Sequence, residues 1–272
     1  MKKTIAMLAI AGLASAAIAS PAKVYDTSID AIFAPGSTAM PGLRNVNEFY
    51  GFESAEGYSV GPVAGQQGWA EFTARPGASR VSNANPASGN QHLRIVELQT
   101  GAAFNGAFSP DLGAQPAGRY ITSVDIALND DGGADYQVLG QAPSQGFLSF
   151  RVNFAFTGSI QILDDVGAGL VFVNTGATWD PSLSYTNLTV DLDFDNDTID
   201  YFYGGNLIYS SVAGVFAGSA VEQVILLSDG FQSFSETPSP TGDFDNLSIV
   251  IPAPGAFALL GLGGLVAVRR RR

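Results

Sequence analysis

Thr189-Val-Asp-Leu-Asp-Phe-Asp195 puts Val190, Leu192 and Phe194 on one side of an extended chain and Asp191, Asp193 and Asp195 on the other. A side-chain period of two is that of a half-buried β-strand. Asn196-Asp197 supplies turn chemistry, and Ile199 to Tyr203 returns as the hairpin partner. Gly204-Gly205-Asn206 then turns into Leu207-Ile-Tyr-Ser210, which completes a three-stranded meander.

The same reading extends in both directions. Further strands are predicted at Gln91–Leu98, Tyr120–Leu128, Gly146–Phe154, Ser159–Leu163, Leu170–Asn174, Val221–Leu227 and Asp243–Val250. No stretch between about 45 and 250 keeps a helical period, and no internal repeat is visible. More than ten short strands with Gly, Pro, Asn and Asp between them predict an all-β, two-sheet antiparallel sandwich over residues 45–250. Residues 20–44 read as a lead-in segment and Ser235–Thr241 as a surface loop.

Composition excludes several classes. The 272 residues include no cysteine and one histidine, so a disulfide framework, a thiol nucleophile, a zinc ribbon and a multi-histidine centre are ruled out. A 46% hydrophobic content is too apolar for general disorder. The formal charge of −12 understates the body: Lys2, Lys3 and Arg269 to Arg272 sit at the ends, leaving seven basic residues against 25 acids. Such a body repels phosphate backbones, so nucleic acid is not expected as a partner. Divalent cations and extracellular polysaccharide are.

The ends read as addresses. Lys2-Lys3, the uncharged run Ile5 to Ile18 and Ala17-Ile18-Ala19 form a signal peptide over 1–19, its small residues Ala17 and Ala19 placing cleavage after Ala19. At the other end Pro252-Ala253-Pro254-Gly255 precedes thirteen apolar residues and Arg269-Arg270-Arg271-Arg272. That run is short for a spanning helix, and its basic end favours the cytoplasmic side. The expectation is an N-terminal signal helix, a short C-terminal apolar helix and transient anchoring in the inner membrane.

Residues 252–272 resemble the PEP-CTERM sorting signal of Gram-negative bacteria, with Ala253 standing where that family carries Glu. The resemblance implies an exosortase-type sorting enzyme as partner and a protein delivered to the cell surface or medium. A looser resemblance covers residues 49–250. Gly51-Phe52-Glu53, Gly65-Gln-Gln-Gly-Trp69, Ser88-Gly89-Asn-Gln-His-Leu93 and Asp243-Phe244-Asp245-Asn246-Leu247 follow the order of concanavalin A-like (laminin-G-like) jelly-roll domains. That group implies terminal strands lying side by side, often with structural calcium nearby.

Catalytic motifs are sparse. Gly-x-Ser-x-Gly is missing, a triad would have to use His92, and His92 reads as an ordinary surface strand residue. The concanavalin A-like glucanases carry Glu-x-Asp-x-x-Glu, and none of the seven Glu residues here has that spacing. The expectation is therefore a non-enzymatic surface or extracellular-matrix protein that mediates adhesion or binds glycan. The alternative is an exported glycoside hydrolase or lyase on the same fold.

Site residues follow from chemistry. Glu53 and Asp245, on adjacent terminal strands, are the preferred oxygen ligands for a structural Ca²⁺; Asp130, Asp131 and Asp135 in an Asn-Asp-Asp-Gly-Gly-Ala-Asp loop are the alternative. Asp193, Asp195 and Asp197 have EF-hand-like spacing, but Thr198 and Gly204 replace the turn Gly and the bidentate Glu. Trp179, Tyr185, Tyr201 and Tyr203 are the candidates for a sugar-stacking platform, and Trp69 reads as a core landmark.

Overall fold

A computed structural model describes residues 47–251, except 74–75, 97–102, 130–133, 146–147, 168, 213–217 and 231–240. The signal peptide, the lead-in, the C-terminal sorting segment, Asp130 and Asp131 lie outside the described residues. The described residues form an all-β sandwich of sixteen strands in two antiparallel sheets, with no α-helix among them. In chain order the strands are β1 (Asn47–Tyr50), β2 (Gly61–Pro62), β3 (Ala70–Thr73), β4 (Ser79–Ser82), β5 (His92–Val96) and β6 (Ala103–Phe108). Next come β7 (Arg119–Leu128), β8 (Ala134–Gln141), β9 (Leu148–Phe154), β10 (Ser159–Asp165) and β11 (Leu170–Thr178). The last five are β12 (Thr186–Asp193), β13 (Thr198–Tyr203), β14 (Asn206–Ser211), β15 (Gln223–Gly230) and β16 (Thr241–Val250).

One sheet has nine strands in the order β14-β13-β12-β7-β16-β5-β4-β2, with β1 also on β16; the other has seven, β11-β10-β9-β8-β15-β6-β3. Their facing sides enclose one apolar core. The meander forms as expected: Leu188, Val190 and Leu192 point inward opposite Tyr203, Tyr201 and Ile199. Phe194 does not continue the alternation. The Asp193 carboxylate accepts the Asn196 backbone N–H, closes a 3₁₀ turn over Phe194–Asn196, and leaves Asp197 left-handed at φ 55°. Local capping wins over one more strand pair.

The terminal strands do lie side by side. β16 pairs with β7 on one edge; on its other edge β5 meets its first half and β1 its second. A bulge at Asp245–Asn246, with Asn246 at φ 51°, separates the two halves. Around the chain entry Phe52 packs between Tyr58 and Trp69, whose Nε1 donates to Tyr58 Oη at 2.8 Å. Trp69 is the core landmark its position suggested.

Two expectations change. His92 is fully buried, because β5 is flanked on both sides and the Asp243 carboxylate sits 3.3 Å from its Nε2. Asp135 belongs to a strand: β8 is buried throughout, so its polar and apolar residues lack the half-exposed alternation by which strands are recognised.

Candidate functional site

The outward face of the seven-stranded sheet has two characters. Toward β3 and β6 it is apolar, with Phe108, Leu139, Ile225 and Leu227 forming a second buried cluster apart from the core. Toward β8, β9 and β10 it is polar: Asp135 and Gln137 on β8, Arg151 and Asn153 on β9, Gln161 on β10 and Asp229 on β15 share this side. Asp135 and Asp229 are direct cross-strand partners, each 6% exposed. Such partners have Cβ atoms about 4.5–5.5 Å apart.

Burial raises the Asp135 carboxyl above its ordinary range, against the Phe156 N–H at 2.7 Å, the Asn153 amide at 3.0 Å and the charge of Arg151. Burial likewise lowers the Arg151 guanidinium to about 10, opposed by the charges of Asp229 and Asp135. Arg151 Nε donates to Gln137 Oε1 at 2.8 Å, and its guanidinium carbon lies 5.2 Å from the centre of the Phe172 ring. Gln137 Nε2 and Asn153 Oδ1 are buried without a hydrogen-bond partner. Such atoms beside a carboxylate pair are free to bond a ligand or an ordered water. The face opens toward β11, where Gln161 and Phe172 are half-buried and Asn174 is exposed.

The preferred calcium ligands are held by hydrogen-bond donors. Glu53 Oε1 accepts the Asn90 and Gln91 amides at 2.7 and 3.0 Å; Gly89, left-handed at φ 62°, leaves no room for a side chain against that carboxylate. Asp245 accepts the Ala87, Ser88 and Asn246 amides at 2.9, 3.2 and 2.8 Å. Both carboxylates therefore latch one loop, 85–91: Asp245 to the bulge of β16 and Glu53 to the segment that follows β1. Backbone N–H groups take part of each carboxylate's acceptor capacity, two on Glu53 Oε1 and three on Asp245. Among the described residues no group of three His, Asp or Glu side chains is arranged to hold a metal. Of the alternative set, only Asp135 is described, and it faces Asp229.

The aromatic platform is corrected. Trp179 and Tyr201 are buried in the core, and Trp179 Nε1 donates to the Ala155 carbonyl at 2.9 Å. Tyr185 gives its hydroxyl to the Asn85 carbonyl at 2.6 Å, and the half-buried Tyr203 ring packs on Phe154 with centroids 5.7 Å apart. Alternation put Tyr201 and Tyr203 on one strand face; only the second sheet shows that the face is internal. Gln137, Arg151, Asn153 and Asp229 were missed because they come from three strands with no common motif. The one sequence signal was an Arg on an apolar strand, Phe150-Arg151-Val152.

No family profile matches the sequence, and no curated protein sequence matches it. Among solved structures the fold is similar to the apo Crh5 transglycosylase, at 12% identity and a TM-score of 0.50 over 78% of this chain and 87% of that one. It is also similar to the Bacillus licheniformis β-glucanase, with 13% identity and a TM-score of 0.48 over 78% of this chain and all of the other. A sialidase matches at 11% identity and a TM-score of 0.48 over 70% of this chain, which spans 17% of the sialidase's length. With the two antiparallel sheets, the likeness to the transglycosylase supports a jelly-roll-like sandwich. An enzyme, the transglycosylase, shares this fold, so the expectation of a non-enzymatic chain is withdrawn: the fold gives it no support. The missing contiguous motifs carried that expectation, and a site assembled across strands leaves no contiguous motif.

Proposed function

We propose that the protein is an exported glycoside hydrolase that acts on extracellular polysaccharide through the outward face of its seven-stranded sheet. The observation that carries this reading is the Asp135–Asp229 pair, two sequestered carboxyl groups opposite one another beside Arg151. Retaining glycosidases use two carboxyl groups about 5–5.5 Å apart, one as acid and one as nucleophile. Asp135, whose carboxyl burial favours protonated, donates its proton to the glycosidic oxygen. Asp229 attacks the anomeric carbon, and the glycosyl intermediate is then hydrolysed by water that Asp135 deprotonates. Gln137 Nε2 and Asn153 Oδ1 hydrogen-bond sugar hydroxyls. Two carboxyl groups against one guanidinium suit a neutral sugar chain better than a uronate.

The test is release of reducing ends from neutral β-glucan, xylan and mannan, with alginate as the anionic control. Turnover on a neutral polymer should fall by about 10²–10⁴ in both Asp135→Asn and Asp229→Asn. Turnover that survives both changes, or no turnover on any polymer, rejects the reading. Export and sorting belong to the same proposal, supported by Ala17 and Ala19 at one end and Pro252-Ala253-Pro254 with the Arg tail at the other. Intact mass of material released by an exosortase-bearing host should start at Ser20 and end near Pro254. Released protein that keeps Arg269 to Arg272 rejects the sorting part.

A further inference from the structure

The two lateral sides of the sandwich are built differently. On one, the nine-stranded sheet ends in β2, two residues with Pro62, and the seven-stranded sheet ends in β3, four residues with Glu71. Short length, proline and charge are the usual protections of a strand edge. On the other side, among the described residues, the sheets end in β11 and β14, nine and six residues with no charged side chain and no proline. Tyr209 of β14 donates to Asp164 at 2.8 Å, and Asp164 is paired with Val171, so these two edges lie together. Four of the six large hydrophobic residues exposed among the described ones belong to this side: Val166 (58%), Val171 (39%), Leu207 (56%) and Val212 (61%).

We propose that β11 is a self-association edge, pairing antiparallel with β11 of a second copy. The regular part of the strand is Leu170–Asn174, since the ladder with β10 shifts register beyond Asn174. Two-fold pairing of that segment is centred on Phe172 and sets Val171 against Val173 and Leu170 against Asn174 of the other copy. Charge favours a second copy here. The chain carries −12 overall, so most surfaces repel their own image, whereas this strand brings no charged side chain to the contact. An isologous β11 pair joins the two seven-stranded sheets into one and places both outward faces on the same side. A long polymer would then meet two sites at once.

The chain has no cysteine, so an introduced one can only form a disulfide between molecules. At the centre of a two-fold antiparallel pair, Cα atoms lie about 4.5–5.5 Å apart, within the span a disulfide bridges. Full-length Phe172→Cys, kept in mild detergent, should cross-link to dimer under gentle oxidation, while Val60→Cys, exposed beside β2, should not. Adding Val171→Lys to Phe172→Cys should lower the cross-linked yield by about tenfold or more, and Val171→Lys alone should convert a sedimenting dimer to monomer. Cross-linking of Phe172→Cys no greater than that of Val60→Cys overturns the proposal. So does a yield unmoved by Val171→Lys, because association through the apolar tail would be indifferent to that change.

Discussion

On the outward face of the nine-stranded sheet, Asp243 is gripped by Arg94 through Nε at 2.6 Å and Nη2 at 2.7 Å, and Asp245 by three backbone amides. On the outward face of the seven-stranded sheet, Asp135 and Asp229 are set against each other, and the half-buried Arg151 of the next strand, β9, feels both charges. Burial is similar, but the partners differ. Burial tends to raise the Asp243 carboxyl, yet the Arg94 hydrogen bonds and His92 together outweigh it and hold that group below its ordinary range. At Asp135 the same opposition ends the other way, and the carboxyl is raised. At Asp245 burial outweighs the three amides as well and the carboxyl is raised, so the charged Arg94 partner, and not the number of fixed donors, is what holds Asp243 ionised; Asp135 differs from both in facing a second carboxyl group.

The sharpest way to break this contrast is Asp243→Asn. It leaves the Arg94 guanidinium without its fully buried counter-charge, and thermal unfolding should show a loss of about 3–5 kcal/mol at neutral pH. The deficit should shrink as pH falls through the depressed pKa of Asp243, because the wild-type carboxylate is then lost too. A deficit independent of pH would mean that packing, not the ion pair, matters at this position.

Asp245→Asn comes next. Burial raises this carboxyl despite its three amides, so the charge itself adds little at neutral pH; the variant should cost about 1 kcal/mol, for an amide left without its acceptor, and open loop 85–91 to proteolysis. In the same melts, calcium against chelator at fixed ionic strength tests the expected cation site: a calcium-specific rise lost in Asp245→Asn assigns this carboxylate to a cation, and equal midpoints assign it to the loop alone.

Asp135→Asn should behave in the opposite sense. A raised folded pKa means that Asp135 contributes stability below its unfolded pKa and loses it as pH rises. The variant should therefore be up to about 1 kcal/mol more stable than wild type at neutral pH. The two should converge in acid, where the wild-type group is protonated. Instability of the variant at neutral pH would give Asp135 a structural role like that of Asp243. The smallest effect is expected at Asp191, paired at the surface with Arg119 through 2.6 and 2.9 Å contacts. Asp191→Asn should cost less than about 1 kcal/mol, and less still in high salt.

The fold was legible where one sheet face is wet and the other dry. β12, β13 and β14 fall within a few residues of their predicted places because alternation there reports real exposure. β8 was not among the predicted strands, and its first two residues were read as the end of a loop, because both of its faces are sequestered and its residues follow no wet-dry rhythm. The same loss of rhythm hid the candidate site, whose first carboxyl group was taken for a loop ligand.

The amino-acid sequence alone determined the strand-rich class, the acidic body, the terminal signals as expectations and the exclusion of thiol and multi-histidine chemistry. Those properties depend on composition and on spacing over a few residues. Only the tertiary structure decided that Tyr201 and Trp179 face the core, that Glu53 and Asp245 fasten one loop, and that Asp135 meets Asp229. The two aspartates are 94 residues apart in the chain, and strand register is what brings them together. Register is fixed by burying one face of every strand at once, a constraint no local stretch of sequence contains.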